Sequence, residues 1–171
     1  KLINHFGSLG QLARAPLAAM MEVKGIGPAK ATTIVSAFEL SRRRLANDHR
    51  PERFSNSNDL AKYLMPKIGD QAFEVFYVIF LDRSNGLIGE KEIFRGGNAQ
   101  VSVDGVALFK EAVTPGASSV VVSHNHPSGR ATPSKMDDEL TEHLMALARI
   151  SGITLVDHII VTHRKWYSYR D

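Results

Sequence analysis

Along the chain, Glu74-Val75-Phe76-Tyr77-Val78-Ile79-Phe80-Leu81 is almost continuously apolar and aromatic, the pattern of a strand buried on both faces. Asp82-Arg83-Ser84-Asn85-Gly86 supplies turn residues, so a hairpin to a second strand over Leu87 to Phe94 is expected, then a loop from Arg95 to Asn98. Val106 to Val113 suits a helix that Pro115-Gly116 stops. Ala117 to Ser123 is a short β-branched run and predicts a strand. The apolar period from Met136 to Ile150 predicts a helix beginning near Ser134. Gly152 breaks that period, Ile153 to Thr162 reads as another buried strand, and Lys165 to Tyr169 as a short last one. The order β-β-α-β-α-β-β describes a mixed sheet covered by helices, a three-layered α/β domain over residues 59–171.

The first third of the chain has a helical period instead. Leu2 to Met21 is helix-prone, with Leu9, Leu12, Ala13, Leu17 and Met20 or Met21 on its apolar side. Gly25-Ile26-Gly27-Pro28 then makes a tight turn into a second helix expected from Pro28 to about Ala46. These residues form a small all-α module, 1–46. Asn47 to Asn58 is polar and aperiodic and reads as a linker. Ser57 or Asn58 can cap a short helix, Asp59 to Met65, that Pro66 ends.

Composition narrows the class without changing this division. The 171 residues are 43% hydrophobic and 23% charged, as in a soluble globular protein, and no apolar run is long enough to span a membrane. A cytoplasmic location is the default expectation. Because the chain starts at Lys1 and not at Met, the helical module is expected to be truncated. There are no cysteines, so disulfides and thiolate nucleophiles are excluded, and a metal site must use His, Asp or Glu. Charge is uneven: residues 1–50 carry eight Lys or Arg against Glu22, Glu39 and Asp48, a net +5, which leaves −2 for the remainder. A polyanion-binding module joined to a near-neutral catalytic one is implied.

The candidate chemistry lies in Ser123-His124-Asn125-His126-Pro127-Ser128-Gly129 and Ser134-Lys135-Met136-Asp137. The strand period of two aims His124 and His126 to the same side, and Asp137 falls in the first turn of the following helix. Two imidazoles and a carboxylate make a three-ligand metal site with a position left for water. Asp138 is the alternative ligand, but helical geometry turns it about 100° from Asp137. Ser134-x-x-Asp137 is also a capping box, and a capped helix that fixes the Asp side chain serves both readings.

His124-x-His126, seven intervening residues and Ser134-x-x-Asp137 resemble the JAMM metalloprotease motif of the JAB/MPN superfamily. His-Asn-His-Pro-Ser-Gly, Phe94-Arg95-Gly96 and Leu155-Val156-Asp157-His158 narrow the resemblance to the RadC family, which also carries an N-terminal helix-hairpin-helix. The resemblance implies an α/β/α mixed sheet with cytidine-deaminase-like layering and one Zn²⁺ per chain held by His124, His126 and Asp137. It further implies Glu74 as the carboxylate that takes the proton from a bound water, and Ser134 as a donor to the oxyanion. Fe²⁺ is the alternative ion, since two His and a carboxylate also form the facial triad of non-haem iron sites. For the helical module it implies DNA bound at Lys24, Gly25, Ile26, Gly27 and Lys30, with backbone N–H groups approaching a phosphate at a helix N-terminus.

The expected function is therefore a zinc-dependent hydrolase acting on a protein or peptide substrate and located on DNA, with no membrane partner. A metal-dependent nuclease and a non-enzymatic DNA-associated metal-binding scaffold are the alternatives. Glu90, Glu92 and Glu111 compete with Glu74. His158 reads equally as a contact behind the site and as a core histidine. Arg42-Arg43-Arg44 reads equally as a phosphate contact and as a solvated helix end. Asn125 stands where JAMM deubiquitinases have Ser or Thr, which argues against an isopeptide substrate. Val103-Asp104-Gly105-Val106 replaces the Pro-Arg-Glu-like segment common in RadC proteins, so no role for that Arg is carried over.

Overall fold

The computed structural model describes residues 1–48, 52–96, 103–113 and 115–171, and the chain divides into two compact units, Lys1–Asp48 and His49–Asp171. In the first unit, α1 (Leu2–Phe6), α2 (Leu9–Arg14) and α3 (Leu17–Met21) precede α4 (Pro28–Asp48). The helix-prone stretch 2–21 is thus broken twice. Gly7 takes a left-handed φ of 83°, and the Ser8 side chain accepts from the Gln11 N–H to start α2. Ala15, forced extended by the proline that follows it, ends α2, and Pro16 caps α3. Leu12, Met20 and Ala31 form the small core of this unit.

In the second unit, α5 (Ser57–Ile68), β1 (Glu74–Leu81), β2 (Leu87–Gly96), α6 (Gly105–Val113), β3 (Ser119–Asn125), α7 (Lys135–Ser151), β4 (Thr154–Val161) and β5 (Trp166–Ser168) follow in order. They form one five-stranded sheet in the order β2-β1-β3-β4-β5. Only the β3–β4 pair, joined through α7, is parallel. Alternate residues divide the core. Phe76, Val78, Phe80, Val120 and Val122 pack under Leu108, Phe109, Leu140 and Leu144 of α6 and α7. Val75, Ile79, Leu81, Val121 and Ile159 pack on Leu60, Tyr63, Leu64 and Ile68 of α5. This is the expected three-layer arrangement, and β3 is buried along its whole length.

Four local expectations are corrected. Residues 52–58 do not behave as a linker: Phe54 is buried edge-on against Tyr63, and its neighbours bond along the β1–β2 hairpin through Phe54 N–H to Asn85 O and Leu87 N–H to Glu52 O. Asn47 and Asp48 close α4, while residues 49–51 lie outside the described residues, as do Gly97 and Asn98 of the expected loop. The cap of α5 is Asn56, whose Oδ1 accepts from the Asp59 N–H at 2.9 Å, and not Ser57 or Asn58. Pro66 does not end that helix. The missing N–H costs one bond in the last turn, and burial of Ile68 with the Gly69 N–H to Met65 O bond carries the helix through. The strand expected over 117–123 lies at Ser119–Asn125, so His124 and Asn125 belong to it.

Asp157 of β4 is buried, with Oδ2 accepting from the Ser168 hydroxyl at 2.8 Å and Oδ1 unpartnered among the described residues. Burial raises its pKa, more than its hydrogen bonds to Ser168 and Ser57 lower it. The native state therefore holds this proton more tightly than the unfolded chain. Its contribution to stability is fully present below the unfolded carboxyl pKa, about 4, and is lost as pH rises through the raised native value. Asp157→Asn should abolish that part of the decline. Denaturant midpoints of the two proteins compared between acid and neutral pH should then converge or cross in favour of the variant at neutral pH.

Candidate metal centre

Three decisions of the chain bring the site together. The two-residue period of β3 carries His124 to the α6–α7 face, and His126 follows it just past the strand end, with its N–H bonded to Val161 O. The Ser134 side chain accepts from the Asp137 N–H, and the Asp137 carboxylate takes the Ser134 N–H, a complete capping box that locks α7 and the carboxylate together. Asp137 is fully buried, whereas Asp138 is exposed and accepts from the Tyr169 hydroxyl at 2.7 Å. Asp137 is the residue that faces the histidines: Oδ1 lies 3.0 Å from His124 Nε2 and Oδ2 lies 3.4 Å from His126 Nε2.

The tautomers follow from a buried hydrogen-bond chain. The Thr141 hydroxyl donates to the Asp137 carbonyl at 2.6 Å, so its oxygen accepts from His158 Nδ1, also at 2.6 Å. His158 Nε2 is then a lone pair, and at 2.9 Å it accepts from His124 Nδ1. His126 Nδ1 donates to the Arg130 carbonyl at 2.8 Å. In neutral form both Nε2 atoms are consequently lone pairs, 2.9 Å apart and beside the Asp137 carboxylate. Three acceptors aimed at one point require a cation between them. Ligand atoms of His124, His126 and Asp137 all lie within 4.8 Å of one another, and the donor set fits a divalent metal ion.

Without an ion between the three groups, the charge states supply a proton there instead. Burial opposes ionisation of Asp137, but the bonds to His124 and His126 outweigh it and hold the carboxylate far below the usual range. Burial likewise opposes a charged His126, yet Asp137, the Arg130 carbonyl and Glu74 together raise its pKa. His158 is pushed well below its ordinary value, chiefly by burial and also by His124, and stays neutral as the chain requires. The Tyr169 ring stacks on His158 at 5.1 Å, and Phe76 stacks on His124 at 6.2 Å.

Glu74 is brought to the same side. Phe76 pairs with His124 across β1 and β3, and Glu74, two residues earlier on the same face, extends that register toward His126. Its competitors are engaged elsewhere: Glu90 with Tyr63 and Lys67, Glu92 with Arg95, and Glu111 with Lys91. The Ser134 hydroxyl donates to Asp137 Oδ2 at 2.7 Å and so orients the carboxylate. His143 is exposed. Thr141 gave no signal in the sequence beyond standing one helical turn after Asp137, and Asn125, although it stood in the His-Asn-His motif, gave none that it reaches across to the segment before β1.

In the helical unit, Val23–Gly27 forms the turn between α3 and α4, with Gly25 at φ 91° and the Ile26 N–H bonded to Val23 O. Ile26 packs on the unit's core, and Lys24 and Lys30 are exposed. Lys30 Nζ donates to Gly25 O at 3.0 Å, tying the first turn of α4 to the hairpin. Arg42 and Arg43 both pair with Glu39.

Sheet order, layering and the His-x-His…Asp donor set define a JAB-type domain with a candidate metal centre. The RadC-like JAB domain family matches residues 54–171, and the chain belongs to that family. Relatives include UPF0758 proteins from Flavobacterium johnsoniae (36% identical, 96% of this chain and 72% of the relative), from Paracidovorax citrulli (42%, 91% and 66%) and from Clostridium perfringens (36%, 100% and 75%). The chain thus spans about two thirds to three quarters of these relatives. No helix among the described residues is long and apolar enough to cross a membrane.

Since His158 fixes the tautomer of His124, His158→Ala should weaken metal binding by about 10- to 100-fold, and His126→Ala should weaken it further still. Competition against a chromophoric chelator, with Zn²⁺ as the probe, measures both.

Proposed function

We propose that the chain is a metal-dependent hydrolase that cleaves an amide or peptide bond, and that its helical unit binds DNA. The observation that carries the first part is the convergence of two imidazole lone pairs and the Asp137 carboxylate on one point, with Glu74 directed to the same face. A bound Zn²⁺ would lower the pKa of a water and polarise a carbonyl. His124, His126 and Asp137 would hold the ion. Glu74 takes the proton from the attacking water and returns it to the leaving amine. Ser134 orients Asp137 through its one hydroxyl proton, and that proton would have to turn from Asp137 Oδ2 to serve the oxyanion that develops on the attacked carbonyl. Burial of Asp137 and His158 keeps bulk water from competing for these bonds.

For DNA, the supporting observation is at Gly27. A Cβ there would meet nothing within 4 Å, and its φ is not left-handed, so neither packing nor backbone strain within the unit accounts for the glycine. Close approach of a phosphate to the Gly25–Gly27 backbone does.

Glu74→Gln should retain Zn²⁺ while losing at least about 100-fold in hydrolysis, the usual range for a general base. Wild type, Glu74→Gln and Asp137→Ala are assayed on a peptide library and on labelled single- and double-stranded DNA. Cleavage of DNA that disappears in both variants would replace the peptidase reading with a nuclease. Metal bound with no substrate cleaved would favour a scaffold.

Gly27→Ala should leave thermal stability unchanged and weaken DNA binding, whereas Lys30→Glu should weaken it and flatten its salt dependence. Titrations at several salt concentrations check both, and unaltered affinity in both variants removes the DNA assignment.

A further inference from the structure

Asn125 stands between the two histidines, and the strand period turns it to the opposite face of the sheet. It is fully buried and its carboxamide is saturated. Oδ1 accepts from the Val75 N–H at 2.7 Å, while Nδ2 donates to the Phe73 carbonyl at 3.1 Å and to the Gln71 carbonyl at 3.4 Å. These groups bracket Glu74. The β1–β3 ladder ends at Phe76 and His124, so no backbone pair with β3 holds the chain at Glu74. The side chain of Asn125 takes over from the ladder there. Upstream, Gly69 closes the other end of the segment: a Cβ on it would lie 2.6 Å from the Thr162 carbonyl oxygen, so the backbone is seated against β4.

We propose that Asn125 is a positioning residue for Glu74: it grips the peptide groups on both sides of that residue and fixes its backbone in register with His124 and His126. The proposal rests on Glu74 acting as the base. It explains the residue type, because only a carboxamide offers one acceptor and two donors at this reach. A carboxylate would face the Gln71 and Phe73 carbonyls with oxygen, and a serine would not span the gap. One strand segment thereby sets both the two histidine ligands, through its α7 face, and the base, through its α5 face.

Two readouts independent of turnover test it. Amide exchange is followed by NMR on metal-free protein, and the visible d–d spectrum is recorded after Co²⁺ loading at fixed pH. In wild type, the Val75 amide and the Asn125 carboxamide protons should exchange slowly, and fast exchange of either overturns the clamp. Asn125→Asp and Asn125→Ser should speed Val75 exchange about tenfold, as expected when one net hydrogen bond is lost. Both should bind Co²⁺ within about threefold of wild type, since neither ligand tautomer depends on Asn125. Their Co²⁺ bands should shift in the same sense as in Glu74→Gln, with no added shift in the Asn125→Ser, Glu74→Gln double variant. Ile79→Val, a core truncation on the same strand, should lower stability and move neither readout. Wild-type bands in the Asn125 variants, beside shifted bands in Glu74→Gln, overturn the proposal and leave Glu74 in place. Unshifted bands in Glu74→Gln itself remove the base assignment, and the proposal with it.

Discussion

The structure depends on one buried chain of hydrogen bonds that begins at the carbonyl of Asp137 and ends at His124 Nδ1. Thr141 has one proton and gives it to that carbonyl; every later donor in the chain is then determined, through His158 to His124. The outcome is a lone pair on His124 Nε2, beside one on the half-buried His126 and the buried Asp137 carboxylate. A proton shared with His126 satisfies it in the metal-free protein, and a divalent ion satisfies it more completely. The preference for a cation is therefore built into the second layer of contacts as much as into the three ligands.

That chain needs three elements held rigidly, which explains the demands on the rest of the unit. His124 comes from the central strand, His158 from its parallel neighbour, and both Thr141 and Asp137 from the helix that connects the two strands. A β-strand, helix, parallel β-strand unit places the end of the first strand and the start of the helix together. The capping box at Ser134 then fixes the helix at the one turn where a small rotation would withdraw the carboxylate. Leu140, Leu144 and Ala148 bury the same helix against the sheet, so packing and capping agree on its orientation.

The sequence of elements along the second unit and the three candidate ligands are legible because each leaves a periodic trace, whereas the strand order in the sheet is not. Alternation in β3 puts His124 and His126 together, and Ser134 with Asp137 carries the spacing of a helix start. Other features leave none. Phe54 is a single apolar residue in a polar run, and its anchoring against Tyr63 depends on a partner whose contact no window along the sequence can show. Pro66 reads as a stop because its local rule is strong, yet burial of Ile68 outweighs the one bond it removes. Gly7 and Pro16 divide a helix-prone stretch because backbone conformation there overrides apolar period. The bonds of Thr141 and Asn125 join positions far apart in the sheet or a turn apart in a helix, and only the fold reveals them. Glu74 lies between these cases: it stood in the sequence beside three rivals, and only the fold shows that it shares a strand face with Phe76, which pairs with His124.

Asn125 shows how a single strand rule serves two purposes at once. Period two gives His124 and His126 to one face and, for the same reason, denies that face to the residue between them. A residue there must satisfy itself on the far side, under the segment that leads into β1. In a fully buried position an apolar side chain would leave the buried Val75 N–H unpaired just where the ladder stops, a cost of about 1–3 kcal/mol, and would release the Phe73 and Gln71 carbonyls to solvent. A carboxamide meets all three. The constraint that makes a two-histidine site possible on a strand end thus also supplies a place from which the opposite strand can be held in register. Two of the three candidate ligands and the clamp beside Glu74 thus come from adjacent residues of one segment, while the third, Asp137, is set by the cap of α7.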